Sequence, residues 1–150
     1  MFSNSVIQLM HTAVEWLLQP VIWALILIVI FALWEAATAL GERFGGLRAL
    51  RRAATREQIE KLGRKRIERA DIIARIGPML GLMGTLIPLG PGLAALGRGE
   101  LEILATAVTV AFDTTVMGLV AGVIGFILAR LRRRWYDQLL DEMETATVRL

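Results

Sequence analysis

The residues of this chain that could handle a proton or an ion are polar groups set inside long apolar runs. Asp113 stands near the middle of the run Leu101 to Ala129. At 100° per residue, Thr106, Thr109, Asp113, Met117, Val120 and Ile124 fall within roughly a third of a helix circumference, so the carboxylate shares its face with two hydroxyls. An ionised carboxylate at bilayer depth is costly unless it faces a bundle interior, a hydrated path or a partner, or takes up a proton. Two readings of Asp113 follow: it handles protons or ions, or it is hydrogen-bonded by Thr109, Thr114 or a neighbouring helix and fixes packing. Thr114 and Thr115 point off that face, and a threonine can bond its own helix carbonyl, so packing is the expected role of both.

A second set lies in the run Ile72 to Leu96, where Thr85 sits near the middle with Pro78, Gly81 and Pro88 on its general side. A hydroxyl, a smooth backbone and carbonyls freed by prolines suit a pore wall better than lipid. Gly77, Gly81 and Gly84 lie along one side and form a small-residue surface on which another helix can approach closely. Glu15 and Glu35 lie nearer the ends of the first apolar run, where snorkelling or interfacial solvation is the expected account. His11 reads as an ordinary surface histidine.

Positioning these groups requires helices that cross a membrane. A chain of 150 residues that is 55% hydrophobic, with a mean hydropathy of +0.57, is too apolar for a soluble domain of that length. The expected fold is an all-α membrane protein of three transmembrane helices, read as one domain. Its segments are an outer N-terminal stretch (1–13), span one (14–40), a basic linker (41–71), span two (72–96), span three (101–129) and a tail (130–150). Phe2 to Leu18 patterns as an interfacial helix, and GRGE (Gly97 to Glu100) makes a tight turn between spans two and three, which should form an antiparallel hairpin. With no Lys or Arg before Arg43 and an apolar run longer than a signal peptide needs, span one is expected to be retained.

Charge sets the orientation. Of 17 Lys and Arg, 11 lie between Arg43 and Arg75 (Arg48 and Arg51 among them), five lie from Arg130 onward, and only Arg98 falls elsewhere. The linker and tail are therefore expected in the cytoplasm and the N-terminus outside, across an inner or plasma membrane. Ala54 to Ala70 and Arg132 to Leu150 pattern as helices, the first with an i,i+4 pair at Glu57 and Lys61, and are expected to prolong the bundle inward.

With no cysteine and one histidine there is no disulfide framework, thiolate zinc site, iron–sulfur cluster or Cys/His pair. No phosphate loop, catalytic carboxylate pair or activated nucleophile occurs, so no enzyme activity, cofactor or metal is expected. The pI near 10.2 reflects basic clusters beside apolar runs, and no nucleic-acid partner is expected.

GPMLGLMGTLIPLG (Gly77 to Gly90) followed by LATAVTVAFDTTVMGLVAGVIGFIL (Leu104 to Leu128) resembles the MotA/TolQ/ExbB proton-channel family. The likeness covers roughly Ile72 to Arg134, and the preceding span and basic linker agree with it in order and orientation. It implies a three-span subunit that assembles, typically as a pentameric ring, around a dimer of single-span ExbD/TolR-like partners carrying an aspartate that takes and releases protons. Proton flow would then drive movement of that pair and energise transport or an envelope process. Thr85 matches the threonine of the family's GLxGT helix and Thr106 that of its third-helix ATA motif, and both look like residues facing the partner's aspartate; Thr109 and Asp113 would add polar groups along the path. The family's glutamate near the start of the third helix has no clean match, since Glu102 lies one position away. The linker is far shorter than the domain MotA uses to meet a flagellar rotor, so an ExbB/TolQ-like energiser is preferred over a flagellar stator. PLGPG is expected to unwind the outer end of span two. A non-conducting scaffold whose glycine face docks a partner helix is the alternative.

Overall fold

The computed structural model describes residues 4–46, 52 and 54–148; Phe2, Arg48 and Arg51 lie outside the described residues. The described chain is helical: α1 (Asn4–Gly41), a π-helical turn (Glu42–Gly46), α2 (Arg56–Gly97) and α3 (Leu101–Val148). All three α-helices are long and apolar enough to cross a membrane. Each runs past its expected span. α1 begins at Asn4, α2 takes in the amphipathic stretch from Arg56, and α3 passes through the arginine run to Val148.

The prolines do not end these helices. Pro20 lies inside α1, and Pro78, Pro88 and Pro91 lie inside α2, which continues to Gly97 where unwinding at PLGPG was expected. A proline removes one backbone donor and crowds the carbonyl four residues back. Packing on both sides of the Pro88–Pro91 stretch offsets that cost: Gly84 lies against Thr114 and Gly92 against Ala107, where an added Cβ would come within 2.7 Å in each case.

Between α2 and α3 the chain reverses through a Schellman closure. The Glu100 N–H donates to the Ala95 carbonyl and the Gly99 N–H to the Leu96 carbonyl, both at 3.0 Å. This geometry puts Gly99 at φ +79°, a left-handed conformation that glycine adopts without penalty. Arg98 Nε donates to Glu100 Oε1 at 3.0 Å, and this bond with the carboxylate's charge pushes the exposed Arg98 pKa further up.

The contacts group into two compact units, one formed by residues 1–29 and 76–121, the other by 30–75 and 122–150. In the first, the backbones of α2 and α3 nearly touch. A Cβ on Gly118 would lie 2.6 Å from the Gly77 carbonyl oxygen and 2.7 Å from Gly81 Cα. The glycine side of α2 is thus covered by α3 of the same chain. Gly118 is its counterpart, which the sequence reading did not single out.

The second unit packs in the same manner at Gly125, whose added Cβ would meet Ala74 N at 2.6 Å and Ala70 O at 2.8 Å. Further along, the Tyr136 ring lies over Gly63, and Ile59, Tyr136 and Leu139 form a buried cluster. Charges are buried here too. Arg132, 1% exposed, donates to Glu35 Oε2 through Nη1, and through Nη2 to Thr38 Oγ1 at 3.1 Å and Glu42 Oε1 at 3.4 Å. Arg66 pairs with Glu42 and donates to the Tyr136 hydroxyl at 3.4 Å, while Arg69 reaches Glu35 at 3.9 Å. Glu35 was expected to snorkel at a span end; it is 4% exposed and paired instead, because packing brings Arg132 of α3 to it across 97 residues of sequence.

Two predictions follow from this packing. Gly118→Val should lower stability by about 1–3 kcal/mol or prevent folding, since the clash is with backbone that cannot rotate away; Gly90→Ala, with nothing within 4 Å, should be neutral. Thermal unfolding of the purified proteins in detergent reads both. Arg132→Met should cost about 3–5 kcal/mol by leaving buried Glu35 with Arg69 alone, at 3.9 Å, and Glu42 with Arg66 alone, and adding Glu35→Leu should recover much of the loss; an unchanged midpoint in Arg132→Met would show the cluster to be energetically idle.

Candidate functional site

The polar residues of the first unit occupy two settings. Thr106, Thr109, Asp113, Met117 and Val120 all lie on an exposed face of α3. The Thr106 hydroxyl donates to the Glu102 carbonyl and that of Thr109 to the Ala105 carbonyl, both at 3.0 Å. Each threonine thereby satisfies its own donor and leaves its lone pairs outward. Asp113, on the same face, makes no ion pair among the described residues. Around it Phe112, Val116 and Leu119 are more than half exposed, so a carboxylate stands in an apolar surface that this chain leaves uncovered.

Thr85 lies in the other setting, partly buried where α2 meets α3. Its Oγ1 is hydrogen-bonded to Thr115 Oγ1 and lies 3.0 Å from the Gly81 carbonyl and 3.4 Å from that of Ala111. Thr115 Oγ1 in turn lies 2.8 Å from the Ala111 carbonyl. Each hydroxyl has one proton, so the bond between the two can run in either direction. In one, Thr115 donates to Ala111 and Thr85 to Thr115; in the other, Thr85 donates to Gly81 and Thr115 to Thr85. The two differ only by hydroxyl rotation. Thr114, next along α3, is buried against Gly84 and donates to its own helix, to the Val110 carbonyl at 2.9 Å or that of Ala111 at 3.0 Å.

The site expected from the sequence is therefore divided. Thr85 and Thr106, assigned to one aspartate, are separated in depth: Gly92, seven residues beyond Thr85, is what faces Ala107, a rise of about 10 Å at ~1.5 Å per residue. The threonine that meets Thr85 is Thr115, whose role was read as packing alone. The signal for it was weak in the sequence, because a threonine beside another threonine and a helix carbonyl has several ordinary uses. Gly77, Gly81 and Gly84 are buried, and all three lie against α3. Glu102 is exposed in the first turn of α3, where a carboxylate complements the helix dipole. Among the described residues no group of three His, Asp or Glu side chains is placed to hold a metal ion.

Comparison with known proteins places these helices in a family. Neither the curated proteins nor the solved structures give a match. The MotA/TolQ/ExbB proton channel family matches residues 37–145, which take in the end of α1, the whole of α2 and nearly all of α3. That stretch holds the Thr85–Thr115 pair, the Asp113 face and the α2–α3 turn, and the chain belongs to the MotA/TolQ/ExbB proton channel family.

Proposed function

We propose that this chain is the ring-forming channel subunit of an ExbB–ExbD-like (TolQ–TolR-like) motor driven by the proton-motive force. Five copies would surround a dimer of single-span partners, and an aspartate on the partner would carry the proton. The observation that carries this reading is Asp113: an exposed carboxylate on an apolar helix, at the depth of the Thr85–Thr115 hydroxyl pair. A lone chain leaves that carboxylate facing lipid, which is costly; a ring with a hydrated or partner-filled centre does not. The hydroxyl pair supports the same reading: its spare lone pairs can accept from a protonated carboxyl, and a hydroxyl that turns away from its carbonyl can donate to an ionised one.

In this assembly the N-terminus lies outside and the basic ends of α2 and α3 extend into the cytoplasm, as the arginine distribution favours. The force would be delivered through the partner to transport or to an envelope process. The chain itself performs no covalent chemistry.

Mass and uptake test this reading together. A complex captured through a tag on this chain should contain five copies of the 16.6 kDa subunit, about 83 kDa before its two small partners. In that complex reconstituted into liposomes, Asp113→Asn, or Thr85→Val with Thr115→Val, should reduce coupled proton uptake about tenfold or more without changing the native mass. Thr106→Val should reduce it less, being displaced in depth and bonded to its own helix. Full uptake in all of these variants would remove the ion path, and a monomer or dimer without a small partner would favour a non-conducting scaffold, docking through a face other than the glycine side that α3 covers.

A further inference from the structure

Four arginines in five residues end the apolar part of α3, and they do not share one task. Arg132 turns inward to Glu35 and Glu42, whereas Arg130, Arg133 and Arg134 are exposed. Arg133 reaches Asp71 of α2 only at 3.8 Å, and Arg130 and Arg134 make no ion pair among the described residues. The three line an open cavity of about 770 Å³ together with the apolar Phe126 and Ile127 and the carboxylates of Asp71 and Asp137.

The same face continues toward the membrane interior. At 100° per residue Val123, Phe126, Ile127, Arg130, Arg133 and Arg134 fall on one side of α3, and Val123, Phe126 and Ile127 are 57, 59 and 49% exposed. An apolar strip that passes within one helical turn into unpaired guanidinium groups matches a molecule with an acyl chain at one end and a phosphate at the other. Guanidinium suits the phosphate, because its donors can grip two oxygens at once. Asp137, one turn beyond, can accept from a headgroup hydroxyl.

We infer that Arg130, Arg133 and Arg134, with the Val123–Phe126–Ile127 strip, form a binding site for an anionic, hydroxyl-bearing phospholipid such as phosphatidylglycerol. The inference rests on the membrane placement of the chain and not on proton conduction, so either can fail alone. Basic residues at a membrane surface attract anionic lipid generally. What distinguishes this place is the cavity, the continuous apolar strip leading into it, and that Arg130 and Arg134 make no ion pair among the described residues although Asp71 and Asp137 line the same cavity.

The purified native complex, reconstituted in phosphatidylcholine nanodiscs with one fifth phosphatidylglycerol, is released and weighed by native mass spectrometry to count retained lipids. The wild type should retain phosphatidylglycerol over phosphatidylcholine about tenfold beyond the bulk ratio, and Arg130→Gln with Arg134→Gln should abolish that preference. Lys61→Gln with Lys65→Gln, equal in charge change, exposed on α2 and lining neither cavity beside Arg133, should keep it. Proton uptake is read on the same variants reconstituted into liposomes, so that loss of lipid preference is told apart from loss of channel function. Equal retention of both lipids, equal loss in the two double variants, or displacement of the lipid by millimolar inorganic phosphate would overturn the site, the last by showing a simple anion site instead.

Discussion

Where α2 and α3 cross at Gly77, Gly81 and Gly118, backbone lies on backbone, and the arrangement of the first unit follows from that contact. With no Cβ on either side the helices approach as closely as their main chains permit, the mode that small residues allow in membranes. The contact sets a register that runs along the pair: Gly84 meets Thr114 and Gly92 meets Ala107. Thr85 and Thr115 touch because of it, and Thr106 is carried to a different depth. The same close packing holds α2 helical through Pro88 and Pro91.

Polar groups in these helices are satisfied in three ways, each suited to its surroundings. Isolated hydroxyls such as Thr106 and Thr109 bond their own helix. Buried charges pair across three helices: Glu35 and Glu42 come from α1 and its π-helical end, Arg66 from α2 and Arg132 from α3. Such a cluster is weak evidence for net stability, since desolvation opposes the pairing, but it penalises any docking of the helices that leaves one member unmatched. Asp113 follows neither pattern. Its carboxylate looks out from an apolar surface and makes no ion pair among the described residues.

The arginine run of α3 shows how one short segment serves two surroundings at once. Successive residues on a helix turn by 100°, so Arg132 enters the buried cluster while Arg130, Arg133 and Arg134 remain at the surface beside an apolar strip. A family whose members work by moving charge within a membrane needs helices held at a defined depth. Arginines locked inward and arginines free outward are two means to that end.

Much of this was legible in the residues alone, for a physical reason. Apolar run length, the tight turn within Gly97 to Glu100, the shared face of Thr106, Thr109 and Asp113, and the small side of α2 depend on residue type and spacing along one stretch of chain, and the order of the residues determines them. The paired motifs were enough to indicate the family. What only the tertiary structure decided is which faces meet and at what depth: that Thr85 finds Thr115, that Glu35 is buried against a residue 97 positions away, and that Pro88 and Pro91 stay within a helix. Those outcomes depend on the register between helices. It arises from contacts summed over both partners, here above all at Gly118, and no repeat within a single helix encodes it.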